Sequence, residues 1–189
     1  MAKVLIIDFY DSFTYNIATV LYEMGIESIV IGFDQLETYP DQKHIILGPG
    51  PGQPNDYPQF LSLLNKLLED QSKFIMGICL GHQMIWQLKG YLLAKSNAPS
   101  HGGQYEFTLP KWDCFDKALW GQKMTTQRYN SLAIKIDKEA PDHICEGAEL
   151  LMGRFSNGIS YQFHPESIGT LKPQAFFAPL RFVCHPKLE

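Results

Sequence analysis

GICLGHQ, residues 77–83, places a single cysteine between two glycines, after an apolar run and before a helix-like run. Residues 73–78 (KFIMGI) indicate a strand buried on both faces, and residues 80–89 indicate a helix. Gly77 and Gly81 flank Cys79 in the pattern glycine–x–nucleophile–x–glycine, which is typical of a sharp strand-to-helix turn with a reactive side chain at its tip. A Cβ at either glycine would collide with the strand or the helix, so the pattern predicts Cys79 at such a turn.

Two physical effects would act on a thiol at this turn. The N-terminus of the following helix favours the thiolate through the helix dipole. The backbone N–H of Leu80 would point at the group that the sulfur attacks, which supplies half of an oxyanion hole. The pentapeptide alone supports equally well a buried structural cysteine at an ordinary β–α turn.

The first half of the chain alternates strands and helices. Asp11 or Ser12 is a candidate cap for a helix that runs to Met24, and Gly25 can close that helix. The other predicted elements are strands at 3–7, 27–31 and 44–47, and an amphipathic helix over 58–70. This alternation predicts an α/β three-layer sandwich, with a mostly parallel sheet and helices on both faces.

The second half is richer in turns and gives shorter, less periodic signals. Residues 104–109, 123–127, 132–136, 149–153 and 158–163 are predicted strands, some of them antiparallel. The segment after Thr170 contains three prolines and only a weak helical signal, and the sequence assigns it no structure.

Composition narrows the class of protein. The 189 residues suit one domain, here residues 1–189, and 45% hydrophobic with 19% charged residues is usual for a soluble globule. A net charge of −4 excludes a basic field for nucleic acid, and the apolar runs are too short to span a bilayer. With no signal-like N-terminus, the expected location is cytoplasmic.

The four cysteines give no sign of a metal site or a disulfide framework. Cys79, Cys114, Cys145 and Cys184 have no C-x-x-C spacing, so we expect free thiols in a reducing cytosol. The sequence therefore predicts neither a metal nor a cofactor.

YQFHPES, residues 161–167, supplies a candidate base for the thiol. His164 and Glu166 are two residues apart, so on an extended strand they share a face, and Pro165 keeps His164 extended. Glu166 could then orient the imidazole while the imidazole faces Cys79, as in a nucleophile–base–acid triad. Alone, His164 would be interpreted as a satisfied histidine at a strand end, but together with the cysteine turn it favours catalysis.

LGPGPGQP, residues 47–54, directly follows the predicted strand at 44–47. Its prolines stiffen the loop, and Gly48, Gly50 and Gly52 let backbone N–H groups approach a ligand. The position at the carboxyl end of a strand suits the other half of an oxyanion hole. Taken alone, the loop would be interpreted as a rigid surface turn.

Four motifs carry a resemblance to a known family: GPGPG (48–52), GICLGHQ, RYNSL (128–132) and FHPES (163–167). Together they resemble the class I, triad-type glutamine amidotransferases, which have a flavodoxin-like fold. DFYDSFTYN (8–16) is similar to the glutaminase component of anthranilate synthase or of 4-amino-4-deoxychorismate synthase. The resemblance implies that L-glutamine is the substrate and that ammonia passes to a chorismate-using synthase subunit. Anthranilate synthase is the preferred acceptor, with aminodeoxychorismate synthase, or both, as the alternative.

The resemblance also implies roles for individual residues. Cys79 attacks the glutamine side-chain amide, and His164, held by Glu166, protonates the leaving ammonia. The implied binding residues are, for the oxyanion, Gly50, Pro51, Gly52 and Leu80, and for the glutamine, Gln83, Ser131 and Leu132.

The chain departs from the family pattern in two places. Asn130 stands where a histidine is usual, a change that should be tolerated if backbone atoms of Ser131 and Leu132 bind the glutamine. After His101 and Gly102 the usual pattern is lost, and the usual closing helix after residue 170 is not evident.

Two other classes of function compete with this interpretation. A stand-alone γ-glutamyl thiol hydrolase would need only the triad, and not the segment at 8–16. A non-catalytic binding module would usually have lost one of the three triad residues. In the favoured interpretation, a synthase docks on the loops at 8–16, 48–58 and 101–104 and completes the oxyanion hole, because NDYPQ (55–59) and SHGGQ (100–104) are expected to be loose.

Overall fold

Eleven strands and four helices form the fold within residues 3–137 and 142–184, the part of the chain that the computed structural model describes. The strands are β1 (Val4–Asp8), β2 (Ser28–Gly32), β3 (His44–Leu47), β4 (Phe74–Ile78), β5 (Leu92–Lys95), β6 (Gly103–Thr108), β7 (Lys123–Arg128), β8 (Leu132–Lys135), β9 (His143–Glu146), β10 (Glu149–Phe155) and β11 (Gly158–Tyr161). The helices are α1 (Thr14–Glu23), α2 (Pro58–Glu69), α3 (Leu80–Leu88) and α4 (Gln174–Cys184).

The central sheet has the order β2-β1-β3-β4-β11-β10-β8-β5, with β9 also paired to β10. The pairs from β2 to β11 are parallel, and every pair beyond β11 is antiparallel. β6 and β7 form a separate antiparallel ribbon. The continuous apolar runs of β1 and β3 are buried at every position, as expected for parallel strands covered on both faces. The predicted parallel pairing in the first half and the presence of some antiparallel strands in the second half are thus confirmed.

Helices cover both faces of this sheet. Along β1 the side chains alternate, so that Ile6 enters one apolar cluster while Leu5 and Ile7 enter the other. The first cluster contains Ile17 and Leu21 of α1 with Phe176 and Phe177 of α4, and the second contains Leu64 and Leu67 of α2 with Met84 and Ile85 of α3. The three-layer prediction is therefore confirmed.

Helix α1 begins later than the sequence indicates. Its N-cap residue is Phe13 rather than Asp11 or Ser12, and no side chain in the described part of the chain caps it. The Asp11 carboxylate instead accepts the Phe13 N–H at 2.8 Å, which closes the turn just before the helix. Gly25 ends the helix with φ +72°, as predicted.

Helix α4 is the largest element that the sequence did not indicate. Pro179 lies inside it and removes a backbone donor, which weakens the sequence signal. Burial of Phe176 and Phe177 stabilises the helix, and the Tyr161 hydroxyl donates to the Phe176 carbonyl at 2.7 Å. Neither α4 nor any other helix within the described ranges is long and apolar enough to cross a bilayer.

His82, on α3, gives the fold a specific dependence on pH. It is fully buried, with Nδ1 3.0 Å from Ser160 Oγ, and burial lowers the pKa of His82 to about 3. Above the unfolded value of about 6.5 the imidazole is neutral in both states. As the pH falls from about 6.5 towards 3, only the unfolded chain takes up this proton, so stability is lost on acidification.

We expect His82→Gln to flatten the acid side of the stability curve. The free energy of unfolding of the unmodified chain should fall more steeply between pH 6.5 and 4, by up to about 1.4 kcal/mol per pH unit. Urea unfolding at a series of pH values measures both slopes. Parallel curves for the two proteins would contradict a buried neutral His82.

Candidate active site

Cys79 occupies a strained turn between β4 and α3. Its φ of +51° and ψ of −100° lie in a region that residues with a side chain rarely adopt. Hydrogen bonds fix both of its backbone groups, since Cys79 N donates to Tyr161 O at 2.8 Å and Cys79 O accepts from Gln83 N at 3.0 Å. The predicted position of Cys79 at the carboxyl edge of the sheet is confirmed.

The glycines on either side permit this turn. A Cβ at Gly77 would lie 2.9 Å from the backbone of Gly81, and a Cβ at Gly81 would lie 2.4 Å from the Leu47 carbonyl oxygen on β3. Both distances involve backbone that cannot move aside. The collisions predicted from the sequence would therefore occur at both glycines.

His164 and Glu166 form a buried pair. His164 Nδ1 lies 2.8 Å from Glu166 Oε1, and the two residues are 2% and 5% exposed. The local geometry differs from the prediction, because β11 ends at Tyr161 and Glu166 lies in the turn that follows. His164 makes only a single antiparallel bridge, to Gln127. The carboxylate therefore reaches the imidazole across a turn rather than along a strand.

The charge state of His164 follows from its neighbours. Burial alone would lower the pKa of His164, but the negative charges of Cys79 and Glu166 together outweigh burial and raise it well above its usual range. Cys79 is thus close enough to act electrostatically, although Nε2 has no partner with hydrogen-bond geometry among the described residues. This environment favours the imidazolium form of His164.

Two aromatic rings flank the imidazole. The ring centroids of Phe13 and Tyr129 each lie 5.1 Å from that of His164, and 5.0 Å from one another. Together they limit rotation of the imidazole and keep water away from it. Sequence reasoning gave these two residues no role, although both lie inside motifs that it singled out.

The glycine–proline loop lies directly against the cysteine turn. A Cβ at Gly50 would be 2.6 Å from Leu80 Cδ2, so the structure brings together the two predicted parts of the oxyanion hole. Pro51 accepts a hydrogen bond from the Tyr57 hydroxyl at 2.8 Å, and Gly52 has φ +71°.

Hydrogen bonds hold both of the segments that the sequence indicates to be loose. Pro54–Asp56 is a 3-10 turn, in which the Asp56 carboxylate accepts the Gln53 N–H at 2.8 Å. The Gly102 N–H donates to Arg128 O at 2.8 Å. These local and long-range hydrogen bonds were not evident from composition, and the looseness expected of residues 55–59 and 100–104 stays a prediction.

The three residues predicted to hold glutamine form one wall. Gln83 Nε2 donates to Leu132 O at 3.0 Å and to Gln162 Oε1 at 3.1 Å. The Ser131 carbonyl accepts from Ser96 N at 2.9 Å. The amide nitrogen of Gln83 therefore already donates to two protein acceptors. A ligand would have to contact other atoms of these three residues.

Asn130 fits the position where the family pattern has histidine. It is buried, its Nδ2 donates to Leu132 O at 2.9 Å, and its Oδ1 accepts from Arg128 Nε at 3.1 Å. The amide thus joins the two ends of the RYNSL segment. A short polar side chain with both a donor and an acceptor satisfies this site.

A buried charge cluster supports the same segment. Arg128 forms an ion pair with Glu146 and lies 3.6 Å from Glu149, while Glu149 accepts from Lys135 at 2.6 Å and from Ser96 Oγ at 2.8 Å. Since these residues come from distant parts of the chain, the sequence gave no signal of the cluster. The cluster holds the backbone of the segment that contains Ser131 and Leu132.

Gln127 connects His164 to two loops, and sequence reasoning missed it too. Its carbonyl accepts His164 N at 2.9 Å, and its Nε2 donates to Gly102 O at 2.8 Å. Its Oε1 accepts Gly169 N at 3.0 Å, and its own N–H donates to Thr170 Oγ1 at 3.0 Å. Movement of either loop would therefore change the position of His164.

A strained cysteine beside a buried imidazole–carboxylate pair, on an α/β sheet, is the arrangement of enzymes that transfer acyl groups through a thiol. The family model described as glutamine amidotransferase class-I matches residues 5–180. The chain belongs to this family and is an enzyme of the glutamine amidotransferase type.

Individual relatives agree with that assignment. The chain is 33% identical over 190 residues to anthranilate synthase component 2 of Cyanidium caldarium, covering 89% of this chain and 92% of the relative. It is 30% identical to the aminodeoxychorismate synthase of Streptomyces pristinaespiralis, covering 89% of this chain but only 24% of that longer protein. A glutamine amidotransferase structure from Thermotoga maritima has a TM-score of 0.71 over 87% of this chain and 76% of its own, and at 15% identity this shows likeness of fold alone.

Proposed function

We propose that this chain is the glutaminase subunit of a chorismate-using synthase, with anthranilate synthase as the favoured acceptor. The observation that carries the chemistry is the strained Cys79 beside the buried His164–Glu166 pair. The proposal also takes residues 1–189 as one domain that works in the cytoplasm, in line with the composition.

In the proposed reaction, the Cys79 thiolate attacks the side-chain amide carbon of glutamine. The C–N bond then breaks, and the nitrogen leaves as ammonia with a proton from His164 Nε2. Water, deprotonated by His164, hydrolyses the resulting glutamyl thioester and returns the thiolate. The sum is glutamine plus water giving glutamate plus ammonia. Glu166 stabilises the imidazolium through Nδ1.

The other residues have binding roles in this proposal. Backbone groups of Gly50, Pro51 and Gly52, with the N–H of Leu80, stabilise the oxyanion, as supported by the packing of Gly50 on Leu80. Gln83, Ser131 and Leu132 form the wall that receives the glutamine.

The acceptor rests on the names of relatives. Anthranilate synthase component 2 recurs among relatives that the chain matches over most of their length, including one from Helicobacter pylori strain J99 at 32% identity. Aminodeoxychorismate synthase is the second candidate, because two longer relatives with that name or its provisional form also match. Measuring glutamine-dependent product formation with each purified synthase separates the two acceptors.

Three loops provide a route by which a docked synthase would act on the site. The loop at 8–16 contacts His164 through Phe13, the loop at 48–58 contacts Leu80, and the loop at 101–104 reaches His164 through Gln127. Two apolar side chains near these loops are open to solvent, since Tyr10 is 56% and Ile168 98% exposed. Small displacements on docking would adjust both the oxyanion donors and the base.

Partner binding should therefore control the rate. We expect slow glutamate release by the isolated chain and a stimulation of roughly 10²–10³-fold by the synthase, the value of one oxyanion donor. Chorismate should increase the stimulation. Glutamate release with and without the synthase measures this effect, and Glu69→Gln on the exposed side of α2 provides a control that should be stimulated fully. A free chain already at its maximal rate would favour the stand-alone hydrolase.

A further inference from the structure

Gln162 contacts the nucleophile and has no role in the reaction described so far. The residue is fully buried just beyond β11, and its Nε2 lies 3.8 Å from Cys79 Sγ with the geometry of a donor. It precedes His164 by two residues. The Cys79 N–H donates at 2.8 Å to the carbonyl of Tyr161, the residue directly before Gln162. This hydrogen bond fixes the position of Gln162 relative to the Cys79 sulfur.

A chain of hydrogen bonds determines which end of the Gln162 amide faces the sulfur. The Leu132 carbonyl can only accept, so the end of Gln83 that contacts it at 3.0 Å must be the NH₂ group. The same nitrogen lies 3.1 Å from the Gln162 amide, so the atom of Gln162 nearest to it must be the oxygen. The NH₂ group of Gln162 is thereby directed at Cys79.

We propose that Gln162 is a further catalytic residue of this enzyme, whose amide donates to the Cys79 sulfur and stabilises it as a thiolate. This inference rests on the proposed function, in which Cys79 is the nucleophile. Gln83 is then a positioning residue, which acts on the sulfur through Gln162.

The Gln162 amide acts before the attack on glutamine and again during hydrolysis of the thioester. A hydrogen bond to an ionised acceptor is stronger than one to a neutral acceptor, so the Gln162 amide favours the thiolate over the thiol and over the thioester sulfur. Before attack, it increases the fraction of reactive enzyme. During thioester hydrolysis, the sulfur leaves as an anion and regains the same stabilisation, which assists its departure. His164 is the ionisable group that interacts electrostatically with the sulfur, and Glu166 contacts the Nδ1 atom of His164. Gln162 adds a donor that does not titrate.

Gln162→Met tests the proposal, because methionine has similar length and no donor. We expect the pH profile of Cys79 alkylation by iodoacetamide to move about one unit upward, which makes the reaction at pH 7 about tenfold slower. Mass spectrometry assigns the label to Cys79. Burial raises the pKa of Cys114 to about 11, so that thiol should contribute little at neutral pH. With the synthase present, kcat for glutamine should fall about tenfold, with KM little changed.

Asn157→Leu is the matched control. Asn157 is a buried amide that donates to Leu67 O and Asp70 O at 3.1 Å, so its loss removes comparable hydrogen bonds. It should lower the melting temperature and leave the alkylation profile in place. If Gln162→Met does not fold, Gln162→Asn keeps a buried amide but shortens its reach, and should shift the profile in the same direction.

An unchanged alkylation profile in a folded Gln162 variant would overturn the inference and leave Gln162 a structural role. The proposed function would still stand in that case, because it fails on a different result, namely glutamine use that survives the loss of Cys79. The two outcomes can be read from separate experiments.

Discussion

Cys79→Ser should lower glutamine-dependent product formation by on the order of 10⁴-fold or more, the usual cost of removing the nucleophile of a catalytic triad. A hydroxyl is a far poorer nucleophile than the thiolate that attacks glutamine in the proposed mechanism. The synthase subunit would still accept free ammonia. Product formation from ammonia should therefore remain near the unmodified rate, and the comparison of glutamine with ammonium as nitrogen source measures the effect.

Cys114→Ser is the control for this experiment. Cys114 is a partly buried thiol near Arg154, and it lies outside the turn at Cys79. It should retain glutamine use and synthase stimulation. Glutamine-dependent synthesis that survives Cys79→Ser would contradict the thioester mechanism, whatever the behaviour of the control.

The features that the sequence predicted are those encoded by neighbouring residues. The turn at Cys79 requires glycines at fixed offsets, and a Cβ at Gly81 would strike Leu47 O at 2.4 Å, so the pattern itself carries the geometry. The His164–Glu166 contact also depends on residues two apart, and it formed although the strand had already ended. Such short-range constraints hold even when the predicted end of a strand or helix is wrong.

The features that were missed depend on tertiary contacts. Helix α4 contains Pro179, so its intrinsic helix propensity is weak. The helix forms because Phe176 and Phe177 pack into the core. Strands β5 and β9 are short and only partly buried, which leaves little hydrophobic pattern. Gln162 is a different case, because the spacing argument that joined His164 to Glu166 also places Gln162 beside His164 and could have identified it.

His164→Ala should lower glutamine-dependent activity by roughly 10²–10⁴-fold, the usual contribution of a positioned acid or base. Added imidazole should restore part of the rate, because the variant leaves a space beside Phe13 and Tyr129 that the missing ring had filled. Ammonia-dependent synthesis by the complex is the control. A variant that keeps its full rate with glutamine would contradict the role of His164 as the proton donor.

Glu166→Gln should be less damaging than His164→Ala, because an amide oxygen can still accept from Nδ1 at the 2.8 Å position. The charge, however, is lost. Since Glu166 is one of the groups that raise the pKa of His164, that pKa should fall in the variant. The imidazolium would then lose its proton at lower pH, so the basic limb of the kcat/KM profile should move to lower pH. The profile measured from pH 5 to 10 in the stimulated complex tests this shift.

If Glu166→Gln is as inactive as His164→Ala at every pH, the carboxylate charge itself is required for proton transfer, and orientation of the imidazole is the smaller part of the role of Glu166.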